Sequence, residues 1–236
     1  MYKVRQSHLS QNFLINRELV QKLVRDSSIV STDIVIDIGA GTGIITQELL
    51  KITSHVVPIE KDPRLTNHPQ DFLTYTLPQK PFKVFANIPF NISAEIIKKL
   101  LADDFLTEAN LVVQKETAEK FMAGSMQATL AYPWWNMTIV YRFKRSDFRP
   151  IPRVDSVLLK ITRRNIPLVK QKSVYQDFVA YHFGRSPLFK LIPAERWTQT
   201  YEAKPEIRGA FAKLLREQDL IPKIHRTRND NNLKRF

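Results

Sequence analysis

The chain has 236 residues, 43% of them hydrophobic and 25% charged, enough apolar material to bury a core and too much for a chain disordered throughout. It contains no cysteine, which excludes disulfides, thiolate metal centres and a cysteine nucleophile. Lysine and arginine number 36 against 23 aspartate and glutamate, a formal net charge of +13, and such an excess suits a polyanionic partner.

From the N-terminus, Met1 to Ser10 is polar with no apolar run behind it, and no stretch reaches the roughly 18 apolar residues of a membrane span. A cytoplasmic protein is expected. Up to about Thr162, short apolar runs alternate with amphipathic stretches, the pattern of an α/β domain around a mostly parallel sheet. Helices are predicted at Glu18–Ser27, Gly43–Lys51, Ala94–Leu101 and Glu116–Met122. Interleaved with them are predicted strands at Ile34–Ile38, His55–Ile59, Lys83–Ala86, Leu111–Gln114, Met137–Phe143 and Val157–Thr162. Pro58 sits inside the second of these strands, although proline cannot donate to a ladder.

Beyond Arg164 the β signal fades. Helices are predicted at Val174–Phe183 and Pro205–Glu217, and a polar basic tail runs from Arg226 to Phe236. The last 73 residues hold 15 Lys or Arg against 7 Asp or Glu, a surplus of eight positive charges in under a third of the length. Two domains are therefore expected, an α/β domain over residues 1–164 and a helical basic one over 165–236. Arg185, Lys190, Arg208, Lys213 and Arg216 are candidate phosphate contacts. The five histidines, His8, His55, His68, His182 and His225, are scattered without partners at ligand spacing, so no metal site is expected.

Three motifs carry chemistry. Asp37-Ile38-Gly39-Ala40-Gly41-Thr42-Gly43 lies between a predicted strand and a predicted helix, where glycines let a ligand approach the backbone. Its G-x-G-x-G spacing differs from the dinucleotide fingerprint, which would place a glycine at the position of Ile44. Glu60 ends the next strand, 17 residues after Gly43, where an acid holds ribose hydroxyls. Loop and acid together point to a nucleoside cofactor.

Asn87-Ile88-Pro89-Phe90 follows the strand Lys83–Ala86, at the carboxyl edge where open α/β sheets keep their sites. An exocyclic amino group of a base is a poor nucleophile because its lone pair is delocalised into the ring. The side-chain carbonyl of Asn87 and the backbone carbonyl of Ile88, accepting its two N–H protons, would localise that pair. Pro89 would stiffen the backbone, and Phe90 would offer a ring for an extruded base to stack on. An Asn-Pro-type turn closed by a core phenylalanine would use the same four residues.

Gln11-Asn12-Phe13-Leu14, the glycine loop, Glu60, Asp71-Phe72-Leu73, Asn87-Ile88-Pro89-Phe90 and Phe148-Arg149-Pro150-Ile151-Pro152-Arg153-Val154-Asp155-Ser156 occur in family order. The chain resembles the rRNA adenine N6-dimethyltransferases, whose two branches are the erythromycin-resistance (Erm) methylases and the small-subunit rRNA dimethylases. The resemblance is strong over roughly Gln6 to Thr162. It implies a Rossmann-like, S-adenosylmethionine-dependent methyltransferase with a small helical C-terminal domain. By motif, Gln11, Asn12 and Leu14 would close over the cofactor and Gly39 and Gly41 would approach its methionine end. Glu60 would bind the ribose, Asp71 the adenine amino group, and Asn87 both cofactor and target base. Phe90 and Phe148 would sandwich or steer that base.

The Asn-Ile-Pro-Phe tetrapeptide and Pro133-Trp134-Trp135 look more like the Erm branch, which implies methylation of an adenine in 23S rRNA, macrolide-type resistance and a monomer docking onto RNA. The alternatives are a small-subunit rRNA dimethylase and a nucleic-acid-binding relative without catalysis. One departure stands out. Only eight residues separate Asp62 from Asp71, too few for the helix and strand the family places there, since a parallel crossover takes a dozen or more. Similar abrupt joins fall near Gly124-Ser125 and Gly184-Arg185-Ser186.

Overall fold

The computed structural model describes residues 12–123 and 125–183, with Glu195, Thr198, Gln199 and Tyr201. Gln11, the predicted helix Pro205–Glu217, the basic tail and the five candidate phosphate contacts lie outside the described residues.

In chain order the elements are β1 (Phe13–Leu14), α1 (Arg17–Arg25), β2 (Val35–Ile38), α2 (Ile44–Leu49), β3 (Val56–Ile59), β4 (Phe82–Asn87), α3 (Ser93–Ala102), β5 (Leu106–Gln114), α4 (Lys115–Met122), α5 (Met126–Ala131), β6 (Trp135–Arg142), β7 (Phe148–Arg149), β8 (Ser156–Arg163) and α6 (Lys172–Phe183). Six strands form one sheet in the order β3-β2-β4-β5-β8-β6. The β2–β3, β2–β4 and β4–β5 pairs are parallel. Because the chain leaves β2 for β3 on one side and returns to β4 on the other, the strand order reverses beside β2, and a crevice opens there at the carboxyl ends.

Local chemistry accounts for the elements. All four residues of β2 are buried, as expected of a strand covered on both faces. Pro58 fits because β3 is the sheet edge, with a neighbour only on the β2 side. The strand predicted at Leu111–Gln114 begins five residues earlier, at Leu106. Its first half reads polar, yet Glu108 is buried: its carboxylate accepts from Asn110 Nδ2 at 2.8 Å and meets Lys160 Nζ on β8 at 3.0 Å. Asn16 caps α1 by accepting from Leu19 N, with Glu18 in the first turn and Lys22 and Arg25 in the last.

One compact unit comprises residues up to Ala118 with Thr138–Ile161, and the other Glu119–Met137 with residues from Thr162. In the first, Leu14, Val20, Leu23, Val24, Leu49, Phe85, Val112, Phe148 and Leu158 share one core. In the second, Tyr175 of α6 is fully buried, donates to the Thr129 carbonyl of α5 and meets Trp134 edge-on at 5.7 Å. Among the described residues no helix is long and apolar enough to cross a membrane.

Candidate active site

The crevice beside β2 is a cleft lined by Asn12, Phe13, Gly39, Glu60, Lys61, Gln70, Asp71, Phe72, Asn87, Ile88, Pro89 and Phe90, with apolar walls from Ile38, Ile59, Ile92 and Ile96. Its residues come from the ends of β2, β3 and β4, from β1 and the residue before it, from the turn at Gln70, Asp71 and Phe72, and from the start of α3 and the turn leading into it. The glycine loop turns on three positive φ values, 70° at Gly39, 56° at Gly41 and 79° at Gly43. A Cβ on Gly39 would meet Pro89 Cδ at 3.4 Å and the Asn87 carbonyl oxygen at 3.5 Å, and one on Gly41 would strike the Phe13 ring at 2.9 Å. Glycine is required at both positions by conformation, and at 41 by close approach as well.

Glu60 is 7% exposed. Its Oε2 accepts from Gly41 N, and its Oε1 from Lys61 N and Asp62 N, all at 2.8 Å. Three backbone donors fix the Glu60 carboxyl group at the cleft wall and leave lone pairs for further donors.

Asn87 ends β4. Its Nδ2 donates to the Asn12 backbone carbonyl at 2.8 Å. A backbone carbonyl only accepts, so this bond fixes which way the amide faces. Oδ1 is the other amide atom. It is buried and has no hydrogen-bond partner, an acceptor held ready where most buried polar atoms are satisfied.

Behind the loop, Asp37 is 1% exposed and takes a 2.6 Å hydrogen bond from Thr46 Oγ1, while its Oδ1 is unpartnered. Burial pushes its pKa from 3.8 up to about 7, with the Glu60 charge adding to the rise.

Between β3 and β4 there is no helix or strand, yet Asp71 reaches the cleft. Gln70 N donates to the Glu60 carbonyl at 2.7 Å, and Lys61 Nζ reaches Asp71 Oδ2 at 2.6 Å. This lysine, with the backbone N–H of Leu73, holds the Asp71 carboxyl below the usual carboxylate range.

Of the residues singled out from sequence, Asn12, Gly39, Glu60, Asp71, Asn87, Ile88, Pro89 and Phe90 come together in this cleft, with Gly41 behind the Phe13 ring. Leu14 and Phe148 are placed elsewhere. Leu14 pairs with Phe148 across the β1–β7 ladder, both are buried in the core, and Phe148 meets Phe143 edge-on at 5.4 Å. Successive strand residues face opposite ways, so Phe13 takes the cleft side and Leu14 the core side. Phe148, with no exposed surface, offers no face to a base. Phe13, Lys61, Gln70 and Phe72 were not foreseen as site residues. The signal for Phe13 was its place beside Asn12 in an extended segment; nothing local marked Gln70.

The family model for ribosomal RNA adenine dimethylases matches residues 3–187. The chain belongs to the ribosomal RNA adenine dimethylase family. An rRNA methyltransferase of Streptomyces thermotolerans is 36% identical over 177 residues, 67% of this chain and 59% of that protein. The mycinamicin-resistance protein MyrB of Micromonospora griseorubida is 32% identical over 188 residues, 72% of this chain and 60% of that protein. The chain therefore spans about three fifths of the length of these two relatives. The crystal structure of the 23S rRNA methyltransferase ErmE superposes with a TM-score of 0.69 at 26% identity, over 75% of this chain and 80% of that one.

The cleft has what this dimethylase family's nucleoside cofactor, S-adenosylmethionine, needs. A glycine turn with positive φ at Gly39 and Gly41 lets a ligand approach the backbone, a fixed carboxyl group stands at the end of β3, and Asp71 lines the same cleft.

Proposed function

We propose that this member of the family transfers one or two methyl groups from S-adenosylmethionine to N6 of a specific adenine in 23S rRNA, and so confers macrolide-type antibiotic resistance. It acts as a cytoplasmic monomer. The observation that carries the reading is the amide of Asn87, whose Nδ2 is committed to Asn12 and whose Oδ1 is buried without a partner.

The bound cofactor supplies an activated methyl on a sulfonium. The chain's residues orient the acceptor and exclude water. Gly39 leaves room for the methionine end and Glu60 accepts from the ribose hydroxyls. Asp71 accepts from the adenine amino group, and Asn12 and Phe13 cover the site. At the target base, Asn87 Oδ1 and the Ile88 carbonyl accept the two N6 protons, which turns the nitrogen lone pair toward the methyl. Pro89 keeps the turn rigid and the half-buried Phe90 stacks on the base. An in-line displacement of this kind rests on positioning in a dry pocket rather than on a strong base, in keeping with a cleft that has no histidine among the described residues lining it. The name of the ErmE structure and the resistance named for the Micromonospora relative support the 23S target.

Incubation with labelled S-adenosylmethionine and protein-free 23S or 16S rRNA, followed by primer extension, tests the reading. One stop at a single adenine of 23S rRNA is expected. Label confined to 16S rRNA or to its assembly intermediates would move the chain to the small-subunit branch. RNA binding with no label would support the non-catalytic alternative.

A further inference from the structure

Between β3 and β4 no helix or strand holds the Asp71 side of the cleft, so other contacts must. The stretch 60–81 contains turns, bends and irregular backbone but no helix or strand, and a turn without a sheet neighbour has backbone groups to satisfy. At its start, Asp71 accepts from Leu73 N through Oδ1 at 2.9 Å, and its carbonyl takes Thr74 N and Tyr75 N at 3.1 and 3.0 Å. One side chain from a different element meets three of the turn's carbonyls. Lys99 of α3 places Nζ 2.6 Å from the Phe72 carbonyl oxygen, 3.0 Å from that of Leu73 and 2.5 Å from that of Tyr75, and 4.9 Å from the centre of the Phe72 ring. An ammonium has three protons, and all three are used here. A cation on the last carbonyls of a turn whose first residue is an aspartate also follows the turn's dipole.

We propose that Lys99 is a positioning residue for the adenosine end of the cofactor site, one cationic clamp holding a turn that no strand supports. The proposal rests on the cofactor reading given above. Asp71 and Phe72 both line the cleft, and Phe72 is only 4% exposed. Their placement depends on the turn that Lys99 closes. Through that turn, Lys99 governs both affinity for the cofactor and preference for adenine over a base lacking the 6-amino group. Partial burial lowers the lysine's pKa, while Asp71 and Asp103 act in the opposite sense.

Calorimetric titration with S-adenosylhomocysteine and with S-inosylhomocysteine, on wild type, Lys99→Met, Lys99→Gln and Lys99→Arg, tests this. Wild type is expected to favour the adenine ligand. Lys99→Met is expected to bind S-adenosylhomocysteine at least tenfold more weakly and to lose that preference. Its kcat at saturating S-adenosylmethionine should stay within about twofold of wild type while KM rises, and Lys99→Arg should recover most of the affinity. If Lys99→Met fails to fold, Lys99→Gln is read in its place. A folded variant with unchanged affinity and preference overturns the proposal, as does weaker binding with the preference intact, which is what mere loosening would give. Failure of both neutral variants to fold also overturns it, since Lys99 would then serve the fold rather than the site. Wild-type protein that binds neither ligand defeats the cofactor reading itself and takes the proposal with it.

Discussion

Asp37 is a carboxyl taken out of water with one good hydrogen bond and one unpartnered oxygen. Its native pKa of about 7 lies above the ordinary 3.8, so between those values the native state holds a proton the unfolded chain has released. Its effect on stability is most favourable below pH 3.8 and declines as the pH rises to about 7. At about 1.4 kcal/mol per pKa unit, the decline is on the order of 4 kcal/mol. Asp37→Asn still accepts from Thr46 and carries no charge at any pH. Its urea midpoint is expected to exceed that of wild type at pH 8 and to converge with it near pH 4. Equal midpoints at pH 8 would contradict the account. Asp37 was legible from sequence only as the residue before the glycine loop, because its burial and its pairing with Thr46 depend on α2 folding back over β2.

At the level of elements, strands were legible where apolar residues dominate a short buried run, as in β2 and β4. They were not where the partner is remote. The two-residue strands β1 and β7 pair Phe13 with Arg149 and Leu14 with Phe148, a contact no local pattern announces. The six-residue α5 also went unforeseen, being too short for a helical period to emerge. The same ladder separates the roles of neighbouring aromatics. Phe148 belongs to the core, so Phe148→Ala is expected to cost about 3–5 kcal/mol, the usual range for a buried phenylalanine, measured by urea unfolding. Affinity for S-adenosylhomocysteine, measured where the variant is folded, should stay within about threefold. A variant of unchanged stability and lost methyl transfer would instead place Phe148 at the base. Phe90, half-buried and lining the cleft, is the ring the geometry offers for stacking. The cleft's centre was readable because its motifs sit at strand ends, whereas the turn holding Asp71 was not, since Lys99 reaches it from more than twenty residues away.

For the whole molecule, the +13 charge and its concentration toward the C-terminus set the terms of RNA binding. Each lysine or arginine that contacts phosphate contributes about one to the slope of log affinity against log salt. Replacing Arg185, Lys190, Arg208, Lys213 and Arg216 by glutamine, one at a time, is expected to lower that slope by about one for each true contact, while affinity for S-adenosylhomocysteine holds. A slope unmoved by all five would remove the C-terminal segment from the RNA interface. The separation follows from the fold, since the described residues lining the cleft all fall between Asn12 and Ile96. The central claim is that chemistry resides there and turns on one amide oxygen. Single-turnover methyl transfer by Asn87→Ala, at saturating cofactor and RNA, tests it most directly. The account predicts a loss of at least about 10²-fold, the scale for removing one preorganised polar group at a reacting centre, with RNA affinity unchanged. Transfer within a few fold of wild type would contradict it.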